Sequence, residues 1–216
     1  IILRKVVFMI DGWFMRKRIY STKAFFYAGS NIRDYCKKHL RNNDSIYRIF
    51  YYDTEPLDRK GHNPVSNRAI DFSKTATAVQ QLSLLDSLKR TPNFALRLGK
   101  TVWRDKQWVL SPEKLKALLK KDITIDQIAE SDLKPRIEQK TVDMKIGIDI
   151  ALIALKKLAD VLIIITGDMD IVPALKEARR EGMIVGLDPL DNKIHESLSE
   201  HVDFVQTYIG EYKAKI

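Results

Sequence analysis

Aspartates at the ends of apolar runs are the residues of this sequence whose types and spacing could do chemistry. In an open sheet of parallel strands the ligand crevice lies outside the carboxyl ends, so acids that follow several strands share one edge. Carboxylates that converge there repel one another and stay ionised only with a cation between them. Oxygen donors without a Cys or His cluster favour Mg²⁺ or Mn²⁺ over Zn²⁺. The aspartates that follow such runs, directly or after one glycine, are Asp11, Asp53, Asp168 and Asp188.

A helix N-cap is the simplest alternative for each of these acids, because Asp often caps the helix that follows a strand. That explanation suits the doubled Asp168-Met169-Asp170 less well, since one helix needs one cap. The four histidines are scattered and have no Cys partner, which argues against a zinc site. Nucleophile-elbow, GxGxxG and Walker A motifs are absent, which argues against a serine hydrolase, a dinucleotide-binding protein and a P-loop NTPase.

Three segments resemble the NYN domain, the LabA-like branch of the PIN-like nuclease superfamily. They are Val6–Gly12, Lys140–Lys145 with Asp149 shortly after it, and Thr166–Pro173. The last of these, a Thr-Gly-Asp-x-Asp-Ile turn after an apolar run, is a fairly specific motif. The resemblance leaves residues 54–137 unmatched.

The resemblance implies a metal-dependent phosphodiesterase that hydrolyses RNA with Mg²⁺ or Mn²⁺. One position departs from the family pattern: Phe14 stands two residues after the glycine, where the family usually has Asn. A catalytically weak or inactive RNA-binding or scaffold module is therefore a second hypothesis. Carried over to this sequence, the catalytic set is Asp11, Asp143, Asp168, Asp170 and the Thr166 hydroxyl, and the metal ligands are the same four aspartates with Asp149.

Two other magnesium-dependent folds also place Asp-x-Asp after a strand. A Toprim domain requires a glutamate after its first strand, and a haloacid-dehalogenase-type phosphatase requires Asp-x-Asp there. This sequence has Asp11-Gly12-Trp13 at that position, which disfavours both.

The charged residues are segregated along the chain. Residues 141–216 contain 9 Lys+Arg and 13 Asp+Glu, a balance of −4; the whole chain contains 37 and 28, so residues 1–140 contain 28 and 15, a balance of +13. A basic surface attracts the phosphates of nucleic acid, although basic helices that only keep a protein soluble would produce the same balance. The residues predicted to bind RNA are Arg16, Lys17, Arg18, Arg97, Lys100 and Arg104.

The elements that must position these residues form an α/β fold. Continuous apolar strands that alternate with helices predict a Rossmann-like (PIN-like), mostly parallel sheet of about five strands with helices on both faces. The chain is predicted to be a single domain, 1–216, with a basic insertion at about 54–137. Residues 94–110 are predicted to form a hairpin or meander around Gly99-Lys100. Helices are predicted at 31–42, 69–90, 143–158 and 192–200, and a last strand at 204–208.

The single Cys36 cannot form an internal disulfide, which favours a reducing, cytoplasmic location. No apolar run reaches the roughly 18 to 20 residues that cross a bilayer, so we expect a soluble protein without a membrane partner. RNA is the expected partner, and the sequence leaves association into a homo-oligomer open.

Overall fold

A computed structural model describes residues 3–213 of the chain. Their contacts divide the chain into two compact units. The larger unit contains the residues up to Thr54, Ser83–Gly99, and those from Thr141 onward; the smaller contains Glu55–Leu82 and Lys100–Lys140. Of the expected insertion at 54–137, residues 83–99 therefore lie in the larger unit.

The strands and helices alternate along most of the chain. The strands are β1 (Arg4–Asp11), β2 (Asp44–Thr54), β3 (Lys60–His62), β4 (Ala69–Asp71), β5 (Phe94–Leu110), β6 (Leu133–Lys140), β7 (Val161–Ile165), β8 (Ile184–Asp188) and β9 (Phe204–Val205). The helices are α1 (Gly12–Thr22), α2 (Gly29–Lys37), α3 (Ala76–Arg90), α4 (Pro112–Leu119), α5 (Val142–Leu155), α6 (Val172–Arg180), α7 (Glu196–Ser199) and α8 (Gly210–Lys213).

The main sheet confirms the predicted mostly parallel α/β fold. Its hydrogen-bonded order is β6-β5-β2-β1-β7-β8-β9, and every pair from β5 to β9 is parallel. Only β6 is antiparallel, and it pairs with the later part of β5. After β1 the chain adds β2 and then β5 on one side of β1. It later crosses to the other side of β1 and adds β7, β8 and β9 there. The carboxyl ends of β1 and β7 therefore flank a topological switch point, where such sheets bind ligands.

Burial on both faces explains why the central strands are continuously apolar. Along β1, Val6, Phe8 and Ile10 belong to one hydrophobic cluster, and Val7 and Met9 to another. The first cluster includes residues of α1, α2 and α3, and the second includes residues of α5 and α6. Because successive side chains of a strand point to opposite faces, a strand between two helical layers must be apolar at every position.

Residues 94–110 form one strand, so the predicted hairpin or meander is wrong. Gly99 pairs in register with Thr54 of β2 and does not form a turn. Beyond it the same strand pairs with β6, with an irregular register between Trp103 and Trp108. Asp105 and Lys106 have positive φ values of 47° and 53°, which absorb this irregularity. The first half of β5 pairs with β2 and the second half pairs with β6, and these pairings keep the strand extended through Gly99.

The helix predicted over 69–90 begins later, at Ala76. Residues 69–71 form β4, which pairs with β3, and a short 3₁₀ helix follows at Phe72–Lys74. The Asp71 side chain accepts a hydrogen bond from the Ser73 N–H and starts that turn. Pairing with β3 in the smaller unit thus overrides the helical pattern of the sequence.

The later elements are shorter than predicted. The helix predicted at 143–158 runs over Val142–Leu155, that at 192–200 is α7, and the last strand ends at Val205. Among residues 3–213, no helix combines the length and the apolar character that crossing a membrane requires.

Candidate functional site

Asp11 lies where β1 ends and α1 begins. Its Oδ1 accepts a hydrogen bond of 3.0 Å from the Phe14 N–H. Asp11 is therefore the N-cap of α1, which is the alternative role that the sequence offered for these aspartates. Its other carboxylate oxygen has no hydrogen-bond partner among residues 3–213. The side chain is half-buried, which leaves that oxygen available to a ligand.

The pKa values show that Asp11 is surrounded by other acids. The pKa of Asp11 is raised from its ordinary 3.8 to about 6, mainly by burial, while the hydrogen bond from Phe14 opposes the rise. The negative charges of Asp143, Asp53 and Asp168 contribute to the same rise. Burial also raises the pKa of Asp143, as do the charges of Asp168 and Asp170. The predicted cluster of Asp11, Asp143, Asp168 and Asp170 is therefore electrostatically coupled at the carboxyl edge of the sheet.

The turn after β7 is ordered by its own side chains. The buried Thr166 hydroxyl oxygen accepts a hydrogen bond of 3.1 Å from the Asp168 N–H. Asp168 Oδ1 in turn accepts one of 3.0 Å from the Asp170 N–H. These bonds explain the spacing of the motif, because each polar side chain holds the backbone two residues further on. Asp168 is half-buried and Asp170 is exposed.

Phe14 packs directly on this turn. A Cβ atom placed on Gly167 would lie 2.7 Å from Phe14 Cε2, closer than real Cβ contacts come. Glycine is therefore required at position 167 while Phe14 keeps its place. An aromatic ring thus occupies the wall of the candidate site at the position where the family usually has Asn.

The carboxylates suit a hard divalent cation in chemistry and charge. All four donors are oxygens, and their mutual repulsion would be relieved by a cation. Among residues 3–213, however, no three Asp, Glu, His or Cys side chains lie close enough together to hold one ion.

Asp149, the fifth predicted metal ligand, already has two partners. Its Oδ2 accepts hydrogen bonds from the Tyr52 hydroxyl at 2.9 Å and from Arg97 Nε at 2.8 Å. The Arg97 guanidinium offsets its charge, and Asp149 is not among the acids that raise the pKa of Asp11. The structure therefore does not bring it into the coupled cluster.

Asp53 and Asp188, the other two acids at strand ends, are internal anchors. The fully buried Asp53 side chain forms an ion pair of 2.7 Å with Arg16. Asp188 Oδ2 accepts from the Tyr35 hydroxyl at 2.6 Å and lies 3.0 Å from His39 Nε2. Its Oδ1 accepts from the Leu190 N–H.

Most residues that were predicted to bind RNA have partners within the protein. Arg16 is paired with Asp53, Arg97 with Asp149 and Arg104 with Glu138. Arg18 donates to the backbone carbonyls of Leu190 and Asp191, whereas Lys17 and Lys100 are exposed.

Trp13 is an exposed aromatic residue that the sequence reasoning missed. Its side chain is 50% exposed, and Lys17 Nζ lies 4.9 Å from the centre of its ring. The signal in the sequence was its place directly after Asp11-Gly12. Tyr51 and Tyr52 are completely buried, and Trp103 and Trp108 pack with Phe72 in the smaller unit.

The fold is similar to the crystal structure of a protein of unknown function from Vibrio parahaemolyticus, with a TM-score of 0.53 and 12% identity over 95% of this chain and 93% of that one. No curated protein matches this chain significantly by sequence. The profile of the NYN domain matches residues 51–206. The match includes Asp143, Asp168 and Asp170 and leaves out Asp11. Because it spans more than half of the chain, this protein belongs to the NYN domain family, whose members are generally nuclease-type domains of the PIN-like superfamily.

Proposed function

We propose that this protein is a metal-dependent ribonuclease that hydrolyses RNA phosphodiester bonds. The observation that carries the proposal is the placement of Asp11 and of the Thr166–Asp170 turn at the carboxyl ends of the adjacent parallel strands β1 and β7, where the charges of Asp143, Asp168 and Asp170 also meet. Since no three of these side chains converge in the described residues, Mg²⁺ or Mn²⁺ would bind through one or two of the four carboxylates at a time and keep several water molecules. When bound, such an ion would offset the charge that develops on the attacked phosphate and lower the pKa of water.

The protein's own groups prepare this site in two ways. Thr166 and Asp168 hold the turn after β7 through their hydrogen bonds to the backbone, which places Asp168 beside Asp170. The Phe14 N–H occupies only one carboxylate oxygen of Asp11, so the other oxygen is left for the cation.

RNA would approach over the exposed face of α1 next to the acids. Trp13 offers a ring on which a base can stack, and Lys17 beside it offers a charge to the phosphate backbone. Arg97, Lys100 and Arg104 remain proposed RNA contacts, and they would have to share or release their present partners where they have them. Arg16 and Arg18 would act by holding Asp53 and the segment after β8.

The test is Asp168→Asn, which keeps the shape of the turn and removes one charge. Cleavage of a labelled RNA with Mg²⁺ or Mn²⁺ should fall on the order of a hundredfold or more. Binding of Mn²⁺, followed by calorimetry, should weaken, while RNA affinity in EDTA should be unchanged. Asp34→Asn is the matched control, because Asp34 is exposed on α2 and pairs only with Lys37. Equal cleavage by wild type and Asp168→Asn would refute the proposal.

A non-catalytic RNA-binding module is the second candidate, and the packing of Phe14 on Gly167 favours it. In that case wild-type protein would cleave no RNA with either ion, yet would bind RNA in EDTA as tightly as Asp168→Asn. Phe14→Asn, which restores the usual family residue, should then increase Mn²⁺ affinity or produce cleavage. Without either gain, Phe14 is not the cause of the inactivity.

A further inference from the structure

Basic side chains gather at the edge of the sheet opposite the carboxylates. A cavity of about 940 Å³ is lined by Arg41, which lies between α2 and β2, and by Lys176, in the middle of α6. Ile184 and Phe204 also line it, and they are the first residues of β8 and β9. The cavity therefore lies at the amino ends of the strands. Since β8 has five residues, the two edges are roughly 16 Å apart.

Three of these cations are available to a ligand. Lys176 is exposed and has no ion-pair partner among residues 3–213. Arg180 has only an i,i+3 pair with Glu177, and its side chain is 74% exposed, so that pair is weak. The Arg41 guanidinium lies over the Phe204 ring, 5.3 Å from its centre, and has no carboxylate partner in the described part of the chain.

Arg179, a fourth cation of the cavity, has a structural role. Its Nη2 lies 3.0 Å from Asp203, the one acid among the described residues that line the cavity, and its Nη1 donates to the Glu200 carbonyl. Asp203 also accepts a hydrogen bond from the Val185 N–H. This acid is thus already paired, and the charged side chains that remain in the described lining are cations.

The end of α6 has an ordered backbone. Gly182 has a φ of +86°, its N–H donates to the Arg179 carbonyl, and the Met183 N–H donates to the Ala178 carbonyl. This pair of hydrogen bonds is the Schellman motif, which ends the helix sharply and leads directly into β8. Arg180 is the last residue of α6 and Lys176 lies one turn before it, so both side chains project from the same ordered helix.

The extent of the donor surface indicates a ligand with more than one phosphate. A second cavity, of about 630 Å³, is lined by Arg4, Arg41, Asn42 and Asn43, so Arg41 is common to both. Arg4 is paired with Asp44, so Asn42 and Asn43 are the groups that extend the donor surface along the edge of the sheet, beyond what one phosphate can contact. Ile184 and Phe204 supply apolar surface beside them, which suits the sugars and bases of a nucleic acid.

We propose that this amino edge, formed by Arg41, Lys176 and Arg180, is a second nucleic-acid-binding surface that holds the phosphate backbone of single-stranded RNA. It is separate from the carboxylate cluster and does not depend on cleavage. Its role would be to retain an RNA whose other part lies elsewhere on the protein.

The test is the double variant Lys176→Gln/Arg180→Gln, with Lys116→Gln/Lys120→Gln as the matched control. In each pair the two cations are exposed and four residues apart, and the second one lies at the C-terminal end of its helix. Each double variant removes two positive charges. A fluorescein-labelled oligouridine in EDTA, followed by anisotropy over a salt series, measures binding. The first variant should bind about tenfold more weakly, and its slope of log K against log salt should become shallower by roughly 1.4, for two phosphate contacts on a single strand. The control should change affinity less than about twofold.

A variant of Arg41 and competition by inorganic phosphate complete the test. Arg41→Gln alone should weaken binding by about threefold, because both cavities lose a donor. Equal losses in the test and control pairs, or no loss in the test pair, would overturn the proposal. So would displacement of the RNA by inorganic phosphate at the same total phosphate concentration, because the site would then take single phosphates.

Cleavage of a dinucleotide, which is too short to reach both edges, should be unchanged in Lys176→Gln/Arg180→Gln. If wild type cleaves nothing, the ribonuclease proposal fails while the binding result still stands.

Discussion

Asp11 and Asp188 occupy equivalent places in the sheet but have opposite surroundings. Each is the last residue of a parallel strand. Asp188 is buried among hydrogen-bond donors: the Tyr35 hydroxyl, His39 and the Leu190 N–H. Asp11 receives one backbone N–H and otherwise faces acids. The same local pattern, an apolar strand followed by Asp, thus produces an internal anchor in one place and a candidate ligand site in the other.

Asp53 belongs with Asp188 in this comparison. Its carboxylate accepts from Arg16 and from its neighbour's N–H at Thr54, and it is completely buried. Asp53 and Asp188 differ from the clustered acids because side chains packed against them donate hydrogen bonds to their carboxylates. The charge of an anchor is satisfied by the protein, whereas the charge of the cluster is left for a ligand.

Breaking the Asp53 anchor should have the largest effect on stability. Arg16→Gln leaves the buried Asp53 charge without its ion-pair partner, and the free energy of unfolding should fall by about 4 kcal/mol. Lys17→Gln is the control, because the neighbouring lysine is exposed and should change stability by less than about 0.5 kcal/mol. Urea unfolding of both variants measures this. Equal stability would show that Arg16 is a surface cation available to RNA.

Asp188→Asn should destabilise the protein by about 3 kcal/mol. Three donors point at the two carboxylate oxygens, and an amide has only one oxygen, so at least one buried donor loses its acceptor. Urea unfolding at pH 7 measures the loss. A variant as stable as wild type would mean that His39 and Tyr35 find other partners.

Asp11→Asn should increase the free energy of unfolding, and its effect should be the smallest of the three. The pKa of Asp11 is raised to about 6 in the folded protein, so folding favours its protonated form. Wild-type stability should therefore decrease as pH rises from about 4 to above 6, and Asp11→Asn, which retains the helix cap, should remove that decrease. A pKa raised from 3.8 to about 6 corresponds to about 3 kcal/mol, and solvent screening of the half-buried side chain should reduce the gain to about 2 kcal/mol at pH 8. At pH 4 the gain should be near zero. Urea unfolding in EDTA at both pH values measures it, and a loss of stability at pH 8 would place Asp11 with the anchors.

Local patterns predicted the central strands correctly, because burial on both faces requires a continuous apolar run such as Val6–Ile10 or Leu162–Ile165. They failed where the partner decides the structure. Residues 69–71 pair with β3 although they precede a helical pattern, and β5 continues through Gly99 because β2 and β6 each hold one half of it. Neither set of partners can be read from the segment itself.

The sequence by itself determined which residues carry negative charge at the ends of strands, through motifs only a few residues long. Tertiary structure decided what each charge does, because a carboxylate's pKa and free oxygens depend on groups that approach from distant segments. Tyr52 and Arg97 engage Asp149, and Tyr35 and His39 engage Asp188. Tertiary structure likewise brought Arg41, from the basic part of the chain, beside the end of α6, which belongs to the part whose charge balance is −4.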